Sequence, residues 1–200
     1  MKVPRARKAH IFARDKHDHY VEPNWVSERL FDVESFESPV HDPACGWGRI
    51  LRAADARGYA TSGGDVVDRK RRNNVAPNAA FRVEDFLTCR GLHDSIACNP
   101  PFGLIPEFIQ RSLDVVRGVG KVAILCPIRR LPAMRWMRET PLARVWLLTP
   151  RPSMPTGSHI LQGGYVGGGT ADFCWLVFDA LSLEGEGDGP MIRWLHRDGD

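Results

Sequence analysis

The chain has 200 residues, of which 43% are hydrophobic and 26% charged, and its formal net charge is +3. These values are typical of one globular domain with a single core. No apolar run approaches the ~20 residues of a membrane-spanning helix, and no apolar segment follows the basic N-terminus, so we expect a cytoplasmic protein without a membrane partner. The pI near 8.7 permits a nucleic-acid partner without requiring one.

The five cysteines are far apart in the chain and mostly lie within apolar runs: Cys45, Cys89, Cys98, Cys126 and Cys174. An odd number without a Cys-x-x-Cys pair is typical of buried thiols in a reducing compartment. We therefore expect free cysteines.

Residues 1–19 are polar and basic and are predicted to form a flexible arm. His17 and His19 are spaced as His-x-His between acids and could bind a metal, but no third ligand follows at a helical or strand spacing. A solvated arm without a metal is the interpretation we favour. A short amphipathic helix is predicted next, with Asn24 as its N-cap.

Predicted strands alternate with helices from Pro39 onward. Seven strands are predicted, at residues 39–42, 59–67, 80–83, 95–98, 122–126, 145–148 and 173–178. Helices are predicted after a glycine loop that ends at Gly48, over residues 105–116 and over residues 132–138. This alternation predicts an α/β fold with a doubly wound, mostly parallel, seven-stranded sheet of the Rossmann-like kind.

The domain is predicted to span residues 20–183, and residues 184–200 are predicted to form a turn and a short terminal strand. The segment 150–170 is rich in glycine and proline. A connection of this length inside a compact domain is usually functional or disordered. We interpret it as a substrate loop, with disorder as the alternative.

The stretch Asn99-Pro100-Pro101-Phe102 follows the fourth predicted strand. Each proline fixes its φ and keeps the preceding residue extended, so the Asn99 side chain and the neighbouring carbonyls are held as acceptors. Such acceptors could bind an amino group, and Phe102 could stack on a planar ring. The alternative is that the two prolines only end the strand.

A glycine loop, Asp42 to Gly48, lies between the first predicted strand and the following helix. Gly46 and Gly48 permit positive φ and a close approach of a ligand to the backbone. Leu51 stands where a dinucleotide fingerprint has its third glycine, which argues against a nicotinamide cofactor. No Gly-Lys-Ser or Gly-Lys-Thr follows, which excludes a Walker phosphate loop.

Acidic residues end the second and third predicted strands. Asp65 lies where a carboxylate can bind ribose hydroxyls, although an exposed turn aspartate is the alternative. Asp85 and Phe86 could hold the exocyclic amine and the face of an adenine.

Basic residues follow the second, fifth and sixth predicted strands: Arg69, Arg71, Arg129, Arg130 and Arg151. The carboxyl ends of parallel strands share one edge of a sheet, and ligands bind there. Phosphate contacts at this edge would give sequence-independent affinity for nucleic acid. A solvated surface is the alternative for each cluster.

The order of three motifs, Tyr20 to Trp25, Asp42 to Gly48 and Asn99 to Phe102, resembles the class I S-adenosylmethionine-dependent amino-methyltransferases. It is most similar to small phage-type DNA adenine-N6 methyltransferases, in which the N-terminal cofactor-binding segment precedes the glycine loop. The resemblance covers roughly residues 20–178. It implies an antiparallel last strand in the sheet, S-adenosylmethionine as the cofactor and DNA as the partner.

The resemblance also implies roles for the glycine loop and the acids. The loop residues would surround the methionine part of the cofactor: Asp42, Ala44, Cys45, Gly46 and Gly48. Asp65 would bind its ribose, and Asp85 with Phe86 would bind its adenine.

At the N-terminal segment, the resemblance implies that Tyr20 and Pro23 close over the cofactor, with Asn99 also beside it. The family often has Thr-Pro or Ser-Pro where this chain has Glu22-Pro23. The N-terminal contact therefore departs from the family pattern.

The implied catalytic residues are Asn99, Pro100, Pro101 and Phe102. If the Asn99 side-chain oxygen and the Pro100 carbonyl each accept one hydrogen of adenine N6, the nitrogen lone pair localises toward the methyl donor. The base must be flipped out of a duplex, and Phe102 would replace its stacking partner.

Several other functions remain open from the sequence. The same tetrapeptide occurs in families that methylate guanine N2 in RNA or a protein glutamine, and a non-catalytic nucleic-acid-binding scaffold is a further alternative. The chain could also be the catalytic subunit of an assembly with a separate specificity partner. Its oligomeric state is left open.

Overall fold

The computed structural model describes residues 18–69, 79–164, 166–182 and 189–199. Its helices are α1 (Asn24–Val33), α2 (Arg49–Asp55), α3 (Ile105–Val115) and α4 (Gly157–Leu161). Its strands are β1 (Val40–Asp42), β2 (Thr61–Asp65), β3 (Ala80–Val83), β4 (Ser95–Cys98), β5 (Lys121–Pro127), β6 (Leu142–Thr149), β7 (Phe173–Asp179) and β8 (Met191–His196). The alternation predicted from the sequence is present.

The eight strands form one sheet in the order β3-β2-β1-β4-β5-β7-β6-β8. Strands β1 to β5 pair in parallel, whereas β7 is antiparallel to both of its neighbours, β5 and β6. The terminal strand β8 pairs in parallel with β6 and extends the predicted seven strands to eight. The predicted Rossmann-like α/β fold with an antiparallel seventh strand is confirmed.

Apolar side chains cover both faces of the sheet. Helices α1 and α2 bury Val26, Leu30 and Ile50 on one face, in a cluster that includes Trp175 of β7. Helix α3 packs on the other face, where Ile109 contributes to a second cluster. All seven residues of β7 are buried, as expected of a strand that is covered on both sides.

Three local predictions differ from the structure. The N-cap of α1 is Pro23, so Asn24 is already the first helical residue and makes no cap. Residues 132–138 do not form an α-helix: two short 3-10 segments cover Ile128–Ala133 and Arg135–Glu139, and Met134 between them has φ −102° and ψ 49°, which is not helical. The segment 150–170 contains α4 and is therefore not a structureless loop.

The cysteines are all free, and four of the five are buried, with Cys89 half-buried. Burial raises the pKa of the Cys98 thiol well above its ordinary value, as it does that of Cys174. These thiols are core residues. Across the part of the chain that the structure describes, no helix is long and apolar enough to cross a membrane.

The strand order places the carboxyl ends of β1, β2, β3 and β4 side by side. The loops that leave these ends carry the glycine loop, Asp65, Asp85 and Asn99. Four motifs that are remote in the sequence are thus brought to one edge of the sheet, which is where ligands bind in open α/β folds.

Candidate active site

A cavity of about 650 Å³ opens at this edge of the sheet. Its volume is within the usual range for a cofactor-sized ligand. Nine residues that the sequence predicts as cofactor-binding line it: Tyr20, Asp42, Ala44, Cys45, Gly46, Asp65, Asp85, Phe86 and Asn99. Pro101, from the predicted catalytic tetrapeptide, lines it too.

The glycine loop is held in a conformation that only glycine adopts easily. Gly46 and Gly48 have φ values of 48° and 68°, as the sequence analysis expected. A Cβ atom on Gly46 would lie 2.8 Å from Nε2 of His19, so the N-terminal segment packs directly on the loop. The loop therefore forms a tight backbone wall of the cavity.

Gly48 itself does not line the cavity, because it is the N-cap residue of α2 and its left-handed conformation turns the chain into that helix. Pro23 is likewise outside the cavity, at the start of α1. The structure therefore gives both residues a role in shaping the backbone rather than a place in the cavity wall.

Three buried carboxylates line the cavity, those of Glu22, Asp42 and Asp65. Burial raises the pKa of Asp42 well above its usual range, although its Oδ1 accepts a hydrogen bond from Ala44 N at 3.1 Å, and the nearby Glu22 adds to the rise. Burial also raises the pKa of Glu22. A cationic ligand would stabilise the ionised forms of these acids.

Asp65 fastens the end of β2 to the glycine loop. Its Oδ2 accepts from Gly46 N at 3.0 Å, and its Oδ1 accepts from Val67 N at 2.8 Å. Arg69, predicted as a nucleic-acid contact, lines the cavity and pairs with Asp65 at 3.3 Å. That pairing places the Arg69 charge beside the predicted ribose acid.

Asp85 and Phe86 line the cavity but have structural contacts as well. Asp85 Oδ1 accepts from Leu87 N at 3.0 Å and so caps the turn after β3. Phe86 is only 2% exposed and packs against Phe108 at a ring-centroid distance of 5.3 Å. Little of the Phe86 ring is available for a ligand, and Leu87 and Leu104 supply further apolar surface.

The Asn99 amide has a fixed orientation. Its Nδ2 donates to the backbone oxygen of Tyr20 at 2.9 Å and to Oε2 of Glu22 at 2.8 Å. Both neighbours are acceptors, so both amide hydrogens are used. Its Oδ1 is buried and accepts no hydrogen bond from the residues that the structure describes. A buried acceptor without a donor is costly, and a ligand N–H is the natural donor for it.

Phe102 stacks on Tyr20 with a centroid distance of 5.0 Å and an interplanar angle of 8°. It also contacts Phe173 at 5.5 Å and 45°. One face of the Phe102 ring is thus covered, and a planar substrate can use only the face away from Tyr20. Neither Phe102 nor Pro100 lines the cavity, so both lie at its margin.

The segment Asp18 to Glu22, here called the strap, crosses the cavity between two loops. On one side, Asp18 Oδ2 accepts from Gly103 N at 3.0 Å. On the other side, Val21 N donates to Pro155 O at 2.9 Å and Gly157 N donates to His19 O at 3.0 Å. The strap therefore joins the segment that follows the predicted catalytic tetrapeptide to the loop 150–170.

The predicted substrate-binding arginines have different environments. Arg129 is exposed and Arg130 half-buried, just after the carboxyl end of β5. Arg151 pairs with Asp172 at 2.6 Å, so its positive charge is partly neutralised. Arg71 lies outside the described residues.

Sequence reasoning missed several cavity residues. Glu22 was noted only as a departure from a pattern, and Trp47 and Arg49 were not singled out, although all three line the cavity. Their signal was positional: Trp47 and Arg49 flank Gly48, and Glu22 lies between Tyr20 and Pro23. No group of three or more metal-ligating side chains occurs within the described ranges.

The fold is shared with class I methyltransferases of known structure. A type I restriction enzyme EcoKI M protein matches with a TM-score of 0.59 at 16% identity, over 90% of this chain and 49% of that one. A Listeria monocytogenes protein assigned to the class I S-adenosylmethionine-dependent methyltransferases matches with a TM-score of 0.59 at 14% identity, over 90% of this chain and 67% of that one.

A Pyrococcus horikoshii protein assigned as an RNA methyltransferase matches with a TM-score of 0.57 at 14% identity, over 78% of this chain and 81% of that one. No protein-family model and no curated protein matches the chain. At these identities the likeness defines the fold, which is the class I methyltransferase fold.

Proposed function

We propose that this protein transfers a methyl group from S-adenosylmethionine to the N6 amine of adenine in DNA. The observation that carries the proposal is the Asn99 amide, whose oxygen is buried and oriented at the edge of a cofactor-sized cavity and has no donor among the residues that the structure describes. An exocyclic amine supplies the missing hydrogen. The Asn-Pro-Pro-Phe sequence and the class I methyltransferase fold support the same reading.

The charge and the backbone of the cavity wall suit S-adenosylmethionine. Asp42 and Glu22 are buried carboxylates near one another, which favours a ligand with positive charge. The left-handed glycine loop lets the backbone approach the ligand, and Asp65 lies at the end of β2, where ribose hydroxyls are bound in this class of fold. When bound, the cofactor supplies an electrophilic methyl group on a sulfonium.

The protein's own contribution is to position the amine. Asn99 Oδ1 accepts one amine hydrogen, and the Pro100 carbonyl, held by the rigid Pro-Pro backbone, accepts the other. Both contacts draw the nitrogen toward tetrahedral geometry and aim its lone pair into the cavity. Preorganised acceptors of this kind, together with positioning, each contribute several kcal/mol.

The polymer that carries the amine is proposed to be DNA because exposed arginine follows β5 at the edge where the tetrapeptide lies. Arg129 and Arg130 can contact phosphates there. The EcoKI M protein, which is part of a restriction enzyme, is consistent with DNA. RNA is the second candidate, because the P. horikoshii protein is assigned as an RNA methyltransferase.

Labelled S-adenosylmethionine offered with separate pools of DNA, RNA and protein tests this proposal. We expect label in DNA, recovered as N6-methyladenine after nucleoside analysis. Label in RNA alone or in protein alone would overturn the DNA assignment while keeping the amine chemistry. Absence of transfer to any pool, with no cofactor binding by calorimetry, would overturn the methyltransferase proposal.

A further inference from the structure

Glu22 lines the cavity and makes a contact with Asn99 that the proposed reaction does not use. It is 6% exposed and is the last residue of the strap, directly before Pro23, the N-cap of α1. Its Oε2 accepts from Asn99 Nδ2 at 2.8 Å, and its Oε1 is 3.4 Å from Ser27 Oγ. The carboxylate is thus the only charged group among the contacts of the Asn99 amide that the structure describes.

We propose that Glu22 is a positioning residue that orients the Asn99 amide and makes its oxygen a stronger acceptor for the substrate amine. This inference rests on the proposed function. The backbone oxygen of Tyr20 fixes one amide hydrogen, and the Glu22 carboxylate fixes the other. Rotation of the amide would bring Oδ1 against two acceptors, so the oxygen is held toward the site where the amine binds.

The charge of Glu22 acts through the amide as well as on its orientation. A hydrogen bond from an amide N–H to a carboxylate is roughly twice as strong as one to a neutral acceptor. The carboxylate polarises the Asn99 amide and so increases the negative charge on its Oδ1. This oxygen then accepts a stronger hydrogen bond from the substrate amine. No proton is transferred in this arrangement, and Glu22 does not touch the substrate.

Other charged groups around Glu22 set its ionisation. Arg49 of α2 donates to the backbone oxygen of Glu22 and lies close enough to favour the carboxylate, and Arg52 of the same helix also interacts with it. Asp42 of β1 opposes ionisation. Burial outweighs the favourable contacts and raises the pKa of Glu22 above the ordinary value.

The test compares Glu22→Gln with the wild-type protein and with Glu28→Gln, which removes an exposed charge of α1. Glutamine can still present an oxygen to Asn99, so the fold and the amide orientation are kept while the charge is lost. We expect the single-turnover rate to fall about five- to tenfold in Glu22→Gln. Glu28→Gln should retain the wild-type rate.

A second measurement detects the contact between Glu22 and the Asn99 amide without requiring catalysis. The side-chain amide protons of Asn99, assigned by their loss in Asn99→Ala, should shift with pH in the wild-type protein as Glu22 ionises. This titration should be absent in Glu22→Gln and retained in Asp42→Asn, which separates the two acids. Glu22→Gln should also remove the fall in the methyl-transfer rate at low pH that protonation of Glu22 causes in the wild-type protein.

The outcomes separate the two proposals. If the wild-type protein is active and Glu22→Gln keeps both its rate and the titration of the Asn99 amide, the role of Glu22 is wrong and the proposed function stands. If the wild-type protein transfers no methyl group to any pool, the proposed function fails and the role of Glu22 fails with it.

Discussion

Asn99 shows how a single side chain is prepared for a reaction by its neighbours. An isolated asparagine amide can rotate and offer either its nitrogen or its oxygen. Here both hydrogens are bound by fixed acceptors, and the oxygen is left buried and unpartnered among the described residues. The protein bears the desolvation of this oxygen in the absence of a ligand, and a bound amine would relieve it.

Asn99→Ala should therefore abolish methyl transfer while sparing the cofactor. Loss of one preorganised hydrogen-bonding group typically lowers turnover about 10²- to 10³-fold. Calorimetry should show cofactor affinity within a few-fold of wild type, because the glycine loop and the acids remain. Asn24→Ala, at an exposed position of α1, is the matched control; turnover in Asn99→Ala equal to that of the control would contradict the mechanism.

We expect the buried Asp42 carboxylate to lower the stability of the folded protein and to favour binding of the cofactor. Its pKa is raised in the folded protein, so ionisation above the unfolded value of about 3.9 opposes folding, and this opposition is absent at lower pH. Asp42→Asn should raise the melting temperature at pH 7 by a few degrees, roughly 2–4 °C for each kcal/mol, and should have no such effect below about pH 4. Cofactor affinity should fall in the same variant.

Thermal unfolding at pH 7 and pH 3.5, with calorimetric titration of S-adenosylmethionine, measures both halves of this prediction. If Asp42→Asn is less stable than the wild-type protein at pH 7, burial of the ionised Asp42 carboxylate does not oppose folding.

Among the elements, the strap decides how closed the cavity is. It pairs with the loop 150–170 through the bridge between Tyr20 and Thr156. His19 lies between Gly46 and Gly157, and a Cβ atom on Gly157 would lie 2.5 Å from Nδ1 of His19. The His19 ring also makes an edge contact with Trp47, at a centroid distance of 5.6 Å. The strap and the loop 150–170 can approach each other closely because Gly157 has no side chain.

Gly157→Ala should displace His19 from its place between Gly157 and Gly46, and so shift the strap and weaken cofactor binding. We expect a loss of about tenfold in affinity, the equivalent of one displaced contact of ~1.4 kcal/mol. Gly118→Ala is the control, because a Cβ atom there meets nothing within 4 Å. Equal affinities of the two variants in calorimetry would show that the strap does not form part of the binding site.

The sequence predicted the elements better than the contacts between them. The strands were found because apolar runs end at glycine, proline or acidic residues, and these local signals survive folding. The contact of Glu22 with Asn99 spans 77 positions, and nothing in the periodicity near either residue indicates it. The pairing of Arg69 with Asp65 joins residues only four positions apart, but the place of Arg69 in the cavity wall depends on how β2 lies beside the glycine loop.

At the scale of the whole molecule, a buried ionic group ties α1 to the far half of the sheet. Glu34, at the end of α1, accepts from Arg144 Nη2 at 2.9 Å and from Trp146 Nε1 at 2.9 Å. Arg144 also pairs with Asp179 at 3.0 Å, and Lys121 is 3.3 Å from Glu34. Every member has a partner of opposite charge, as buried ions require.

Glu34→Gln should destabilise the protein by about 3 kcal/mol, because it leaves Arg144 buried with less compensating charge. The melting temperature should fall by roughly 10 °C. Asp32→Asn breaks a more exposed pair with Arg29 and Arg57 and should cost no more than about 1 kcal/mol. Thermal unfolding of both variants checks the difference, and equal losses would contradict the role of the buried group.

The buried ionic group also makes the stability of the folded protein depend on pH, through Asp179. Burial would raise the pKa of Asp179, but the hydrogen bond from Arg144 and the charge of Lys121 outweigh it and lower the pKa. Its contribution is therefore complete above about pH 4 and is lost as the pH falls through the lowered value.

The position of β7 has a consequence for synthesis of the chain. This strand comes after β5 and β6 in the sequence but lies between them, in register with Lys121–Pro127 on one side and with β6 on the other. Until residues 173–179 leave the ribosome, β5 and β6 have no means of joining, and each presents an open apolar edge. Unpaired edges of this kind invite aggregation. A nascent chain halted before Phe173 should therefore be a client for chaperones, and the sheet should close only when nearly all of the domain has been made.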